Sequence, residues 1–172
     1  MATVNGAATL DSQHRLLYMV AAGHRFCLRL GDVERLLPLM QMQAVPDGPD
    51  YLLGVMNLGG EAVPVLDLAR RLNLPATTGY ALDTPVVLAA IGALRVALVV
   101  DEVQGVRAVP RSALRGDALF RDGLPPVLSA VTTAESTALL LDALRILDID
   151  LSGRTEPLAL GDELLALCKE AH

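Results

Sequence analysis

The sequence predicts a mainly β protein built from two related β-subdomains, with a few short helices and a helix at the C-terminus. Short apolar runs recur between Gly, Pro and Asp turns and do not alternate with long helical patterns, which favours barrels or sandwiches over a parallel α/β sheet. Hydrophobic residues make up 52% of the 172 positions and aromatic residues only 3%, so the core is Leu, Val and Ala, with Phe26 and Phe120 the only phenylalanines. Finally, two early segments echo two later ones at nearly the same spacing, the mark of an internal duplication.

Taken in order, residues 1–13 are small and polar without periodicity and predict a disordered lead, with order beginning near Arg15. A domain over 14–160 follows, its second subdomain centred on about 85–135. Strands are predicted at Leu16–Ala21, Arg25–Leu30, Met40–Val45, Leu53–Leu58, Glu61–Asp67, Pro85–Ala90, Leu94–Val100, Val103–Val109, Val127–Thr133 and Thr137–Asp142. Helical turns are expected after Asp67 and Asp142. An amphipathic helix over 161–172 is capped by Asp162 and places Leu164, Leu167 and Cys168 on one face.

The duplication rests on two alignments. With one residue inserted after Gly92, Arg25 falls on Arg95, Leu28 on Leu98 and Val33 on Val103, an offset of 70. "VLDLARRL" then matches "LLDALRIL", Asp67 on Asp142, at an offset of 75. The stretch from Leu53 to Asp67 reads as a hairpin whose Gly59-Gly60 link supplies the positive φ values of a tight turn. Asp67 can accept backbone N–H bonds from the turn of helix that follows.

"LLGVMNLGGEAVPVLDLARRL" resembles the signature hairpin of CheW-like domains, a Gly-Val-x-Asn-Leu-Arg-Gly run followed by Val-x-Pro-Val-x-Asp-Leu. "LRVALVVDEVQGV" resembles the same family's later Val-Asp-x-Val segment, and the likeness runs from about Arg15 to Leu147. It implies two five-stranded, SH3-like β-barrels packed together and intertwined. It also implies a non-catalytic adaptor of chemotaxis or a related pathway controlling pili or surface behaviour. The partners implied are the regulatory domain of a histidine kinase and the cytoplasmic tip of a chemoreceptor. Two positions depart from the family pattern: Arg35 stands where an acid is usual, and Gly59 replaces the arginine of the turn. Carried over from the matched positions, the partner-binding residues are Val33, Arg35, Leu36, Asn57, Gly59, Gly60 and Glu61.

Other functional classes find little support. The net charge of −6 and thirteen scattered arginines beside one lysine, Lys169, give no positive field for nucleic acid. The apolar run Pro85 to Val100 is too short for a membrane span and contains Arg95, and the N-terminus lacks a secretory pattern, so a cytoplasmic protein is expected. Cys27 and Cys168 have no metal or redox spacing and read as reduced thiols. His14, His24 and His172 show no ligand spacing, and no phosphate loop exists, so neither metal nor cofactor is expected.

Asp101 and Glu102, adjacent at a strand end, point to opposite faces, and "DTP" at Asp83 reads as a strand entry. Leu36, Leu37, Leu39, Met40 and Met42 cannot all face inward on one strand, so some cover either a partner or the second subdomain. The alternative reading is a small β-barrel enzyme or ligand-binding protein using acids such as Asp101 and Glu102 in a cleft between the subdomains.

Overall fold

The computed structural model describes residues 13–75, 79–115, 127–149 and 160–170. In chain order its strands are β1 (Gln13–Ala21), β2 (His24–Arg29), β3 (Val33–Pro38), β4 (Met42–Gln43), β5 (Leu52–Leu58), β6 (Glu61–Asp67), β7 (Pro85–Ile91), β8 (Leu94–Val99), β9 (Glu102–Pro110), β10 (Leu114–Arg115), β11 (Val127–Thr132) and β12 (Thr137–Leu141). Three α-helices, α1 (Leu68–Arg71), α2 (Ala143–Leu147) and α3 (Asp162–Cys168), and two 3-10 turns, Leu30–Asp32 and Arg111–Ala113, complete the elements among the described residues.

The strands form two six-stranded sheets. One runs β3-β7-β8-β6-β5-β4 and the other β10-β11-β12-β2-β1-β9. All six strands of each sheet, or the residues adjoining them, contribute to a separate apolar cluster, so each sheet curls around its own core. We term the sheet holding β3–β6 barrel one and that holding β9–β12 barrel two. Each barrel takes a hairpin from the other half of the sequence: β7–β8 completes barrel one and β1–β2 completes barrel two. The expected second subdomain around 85–135 is therefore divided, with Pro85–Val99 lying in barrel one.

A third and larger cluster lies between the barrels. Strand alternation builds it: in β1, Leu17, Met19 and Ala21 face the shared core while Leu16 and Tyr18 face barrel two. Likewise Val87 and Ala89 of β7 face the shared core, and Val86 and Leu88 face barrel one. Burial on both faces explains why these segments read as unbroken apolar runs.

The two halves repeat residue for residue. The β1–β2 hairpin closes at Ala21↔His24 and the β7–β8 hairpin at Ile91↔Leu94, an offset of 70 with no insertion. Both turns hold two residues, and Gly92 (φ 59°) occupies the place of Ala22 (φ 50°), not that of Gly23. The bulge at Glu34, between the Val33 and Arg35 pairings, recurs at Gln104 on β9. The parallel pair Val65↔Ala97 recurs as Leu140↔Cys27, and the bulge at Leu53 recurs at Leu128, both placing β6 and β5 at an offset of 75 from β12 and β11.

Several local expectations differ from the structure. Met40–Val45 contributes only Met42–Gln43 to a strand, because a full-length β4 would have to follow β5 while the chain is already turning through residues 44–50. Val33–Pro38 is a full strand, and with β4 it raises barrel one to six strands; Leu114–Arg115 does the same for barrel two. Order reaches back to Gln13 because β1 pairs with β9 as far as Pro110. Asp162 is the first residue of α3 and not its cap, Gly161 standing before it without a side-chain bond. Leu165 replaces the exposed Leu167 on the packed face with Leu164 and Cys168. No described helix is long and apolar enough to cross a membrane.

Candidate partner-binding surface

Barrel one presents an open face where β3, the β5–β6 turn and β8 meet. On β3, Leu37 packs into the barrel together with Leu39 and Met42 beyond it, while Leu36 is 48% exposed and Met40 39%. The apolar run is thus split by alternation, and its outward members are not covered by the second barrel. Arg35 is exposed beside Leu36, and Val33 packs against the shared core.

The turn is built as its glycines require. Gly59 and Gly60 have φ of 62° and 92°, and Asn57 Oδ1 accepts the Gly60 N–H at 2.8 Å, locking the link. Asn57 thus acts first on the turn, and its side chain is partly committed. Behind the turn, Gln43, Ala44, Val45, Pro46, Val55 and Ala62 help to line an open cleft of about 440 Å³.

Arg95 joins the two segments. From β8 its Nε donates to Glu34 Oε2 at 2.9 Å and a second nitrogen donates to Glu34 Oε1, while the remaining arm pairs with Glu61. Hydrogen bonding to Glu34 is the main cause of the raised pKa of this guanidinium. One side chain therefore brings the bulge of β3 and the first residue of β6 together, and with them the strand bearing Leu36 and the glycine turn. Arg95 and Glu34 were not among the sequence candidates. Their partners lie 34 and 61 residues away, so no local pattern announces them.

Barrel two has a different surface at the equivalent positions. Arg25 replaces Arg95, but Glu34 is matched by neutral Gln104, and the acid comes from the C-terminal segment. Glu170 accepts from Gln104 Nε2 at 2.9 Å and lies 3.9 Å from Arg25, while its backbone N–H donates to Gly23 O at 2.8 Å. Val106 stands where Leu36 does and is 43% exposed.

Asp101 Oδ2 accepts the Ala22 N–H at 2.8 Å, holding the positive-φ turn of β1–β2, and Glu102 is exposed. Asp67 caps α1 by accepting from the Arg70 N–H at 3.0 Å, and it also accepts from the Tyr80 hydroxyl. Burial, then that hydrogen bond, pushes the Tyr80 phenol up to about 12. Among the described residues no three His, Cys, Asp or Glu side chains gather as a metal site.

The CheW-like domain family model matches residues 15–150 of this sequence, more than three quarters of its length. The chain belongs to the CheW-like domain family. Among its relatives, the chemotaxis protein CheW of Bacillus subtilis (strain 168) is 25% identical over 154 residues, spanning 87% of this chain and 97% of that protein. Protein FrzA of Myxococcus xanthus is 29% identical over 119 residues, 64% of this chain and 68% of FrzA. In three dimensions the fold matches the crystal structure of scaffolding protein TtCheW from Thermoanaerobacter tengcongensis. That match has a TM-score of 0.72 at 18% identity and covers 84% of this chain and 98% of the other. In this CheW-like chain the signature hairpin is β5–β6, and the later Val-Asp-x-Val segment is the end of β8 leading into β9.

Proposed function

We propose that this CheW-like chain is a non-catalytic adaptor of a chemosensory pathway, joining the regulatory domain of a histidine kinase to the cytoplasmic tip of a chemoreceptor. Family membership supports the adaptor role, and the named relatives belong to chemotaxis and to Myxococcus xanthus. The observation that carries the choice of surface is the exposure of Leu36 and Met40 on the barrel in which Arg95 ties the β3 bulge to the first residue of β6. An apolar side chain on a preformed β surface can be desolvated by a partner at little ordering cost.

Within this face Arg35, Leu36, Gly59, Gly60 and Glu61 offer groups to a partner, Asn57 fixes the turn, and Val33 seats the strand on the shared core. The decisive experiment is titration of wild type and Leu36→Asp against the kinase regulatory domain and the receptor tip. A buried Leu contact contributes roughly 1.5 to 3 kcal/mol, and a carboxylate in its place adds a desolvation cost, so affinity for one partner should fall at least about tenfold. Unchanged affinity for both partners, with an unchanged circular dichroism melt, would remove this face from the interface.

A further inference from the structure

The repeat gives the two barrels the same frame, and barrel two carries one contact that the frame does not require. After α3 the chain runs antiparallel to the start of β2: Lys169 bridges His24, and the Glu170 N–H donates to Gly23 O at 2.8 Å. The equivalents of Gly23 and His24 in barrel one are Ala93 and Leu94. Among the described residues no segment bridges them in this way, and Leu94 is 39% exposed. Barrel one therefore closes without such a segment, which marks residues 162–170 as an addition to the frame.

The addition supplies a charge that barrel two lacks. In barrel one Arg95 is answered by Glu34 and Glu61 of the same barrel. Their equivalents in barrel two are Gln104 and Ser136, neither of them an acid. Glu170 takes their place, accepting from Gln104 Nε2 at 2.9 Å and lying 3.9 Å from Arg25. The rest of the attachment is slight. Helix α3 has seven residues, its N-cap Gly161 makes no side-chain bond, and only Cys168 of the helix is fully buried. Leu164 and Leu165 pack partly exposed against the shared core. A helix of this length is marginal on its own, and an element with few buried contacts opens at a lower free energy than the whole fold.

We propose that residues 162–170 form a strap that opens and closes as a unit over barrel two while both barrels stay folded, and that Glu170, acting on Arg25, is the charge that holds it shut. Closed, the strap buries Cys168 and balances Arg25. Open, it leaves Arg25 without a carboxylate and exposes a positive site on barrel two, while Arg95 keeps both its acids on barrel one. The device therefore alters one face of the molecule and not the other.

Thiol labelling reads the strap directly. Cys168 is released by opening, whereas Cys27 lies in the core of barrel two and is released only by unfolding. The full chain is labelled with a thiol reagent at pH 8 and mapped by mass spectrometry, as wild type, Glu170→Gln, Arg25→Gln and the double variant. Glu170→Gln keeps an oxygen for the Gln104 bond and removes only the charge. Wild-type Cys168 should label at least about tenfold faster than Cys27. Each single variant should speed Cys168 about two- to fivefold, the effect of a partly exposed ion pair, with the Cys27 rate and the urea midpoint unchanged. The two effects should not add in the double variant, and salt should speed Cys168 labelling in wild type only. Cys168 labelling no faster than Cys27 would make the strap part of the cooperative core and overturn the proposal. A Glu170→Gln variant that leaves the Cys168 rate unchanged, or that speeds both cysteines alike, would overturn it too.

Discussion

Arg71 is the largest side chain buried to the last few per cent of its surface, at 2% exposure. Its Nε donates to Ile146 O at 3.0 Å, its Nη2 donates to Arg145 O at 2.9 Å and to Asp148 O, and its guanidinium stacks 4.4 Å from the Tyr51 ring. Burial lowers its pKa, opposed by Tyr51 and Asp148, but an arginine so placed remains charged. It satisfies carbonyls at the end of α2 that would otherwise be orphaned. Arg71→Met, which fills much of the space without donors, should destabilise by on the order of 3 kcal/mol in urea unfolding. The cysteines define a pH window. Burial pushes the Cys168 thiol up to about 12 from 9.0 and raises Cys27 also. A raised pKa contributes stability that is complete below pH 9 and lost as pH climbs toward 12. Unfolding midpoints should therefore be flat with respect to these thiols up to about pH 9 and fall above it, and a thiol reagent at pH 8 should label the native chain far more slowly than the unfolded one.

At the scale of elements, turns and caps carry the testable consequences. Gly59 has φ of 62°, so Gly59→Arg, which recreates the family's usual residue, places a side chain in the left-handed region. It should cost about 1 kcal/mol, or roughly 2 to 4 °C in Tm for a chain of this size. Gly54 is constrained differently: a Cβ there would lie 2.5 Å from Gln43 O, so Gly54→Ala should detach β4 from β5. Faster hydrogen exchange at Met42 and Gln43 would report it.

Much at this scale was legible in the sequence. Gly59-Gly60 announced a turn, Asp67 a cap, and both Asp67 and Asp142 the helical turns that follow them, because each is a local backbone requirement. The strand Val33–Pro38 and the two-residue β10 were not read in the sequence, and β4 was expected four residues too long, since pairing over so short a length depends on where β5 and β11 lie rather than on the strands' own residues. The Glu34–Arg95–Glu61 bridge was equally hidden, as it unites three strands far apart in the chain. Leu36 was marked as a member of an overfull apolar run, and only the structure resolved that it faces outward.

At the scale of the molecule, the exchanged hairpins make the halves interdependent. Residues 1–80 alone would lack β7–β8 for barrel one and would leave β1–β2 without barrel two. Each half also contributes to the shared core, so neither could bury its apolar strands alone. Fragments 1–80 and 81–172 should each give the circular dichroism of an unfolded chain and should regain the native spectrum when refolded together. The intact chain should unfold in one transition seen alike by far-ultraviolet dichroism and Tyr fluorescence. Two separate transitions would show the barrels to be energetically independent despite the exchange.

The duplication gives this exchange a further meaning. A half-sequence with one hairpin and four further strands closes its barrel only by receiving the hairpin of another such half, the geometry of a swapped homodimer. Joined in one chain, the exchange no longer depends on the abundance of a second copy. The linker between β6 and β7 holds the halves at an effective concentration in the millimolar range, far above that of most cellular proteins. The same covalent link frees the two halves to diverge, because each now meets one partner half and never a copy of itself. Gln104 can lose the charge that Glu34 keeps, and Gly105 can stand where Arg35 does, without either change being imposed on the other barrel. One molecule thereby carries two unlike faces on a repeated frame.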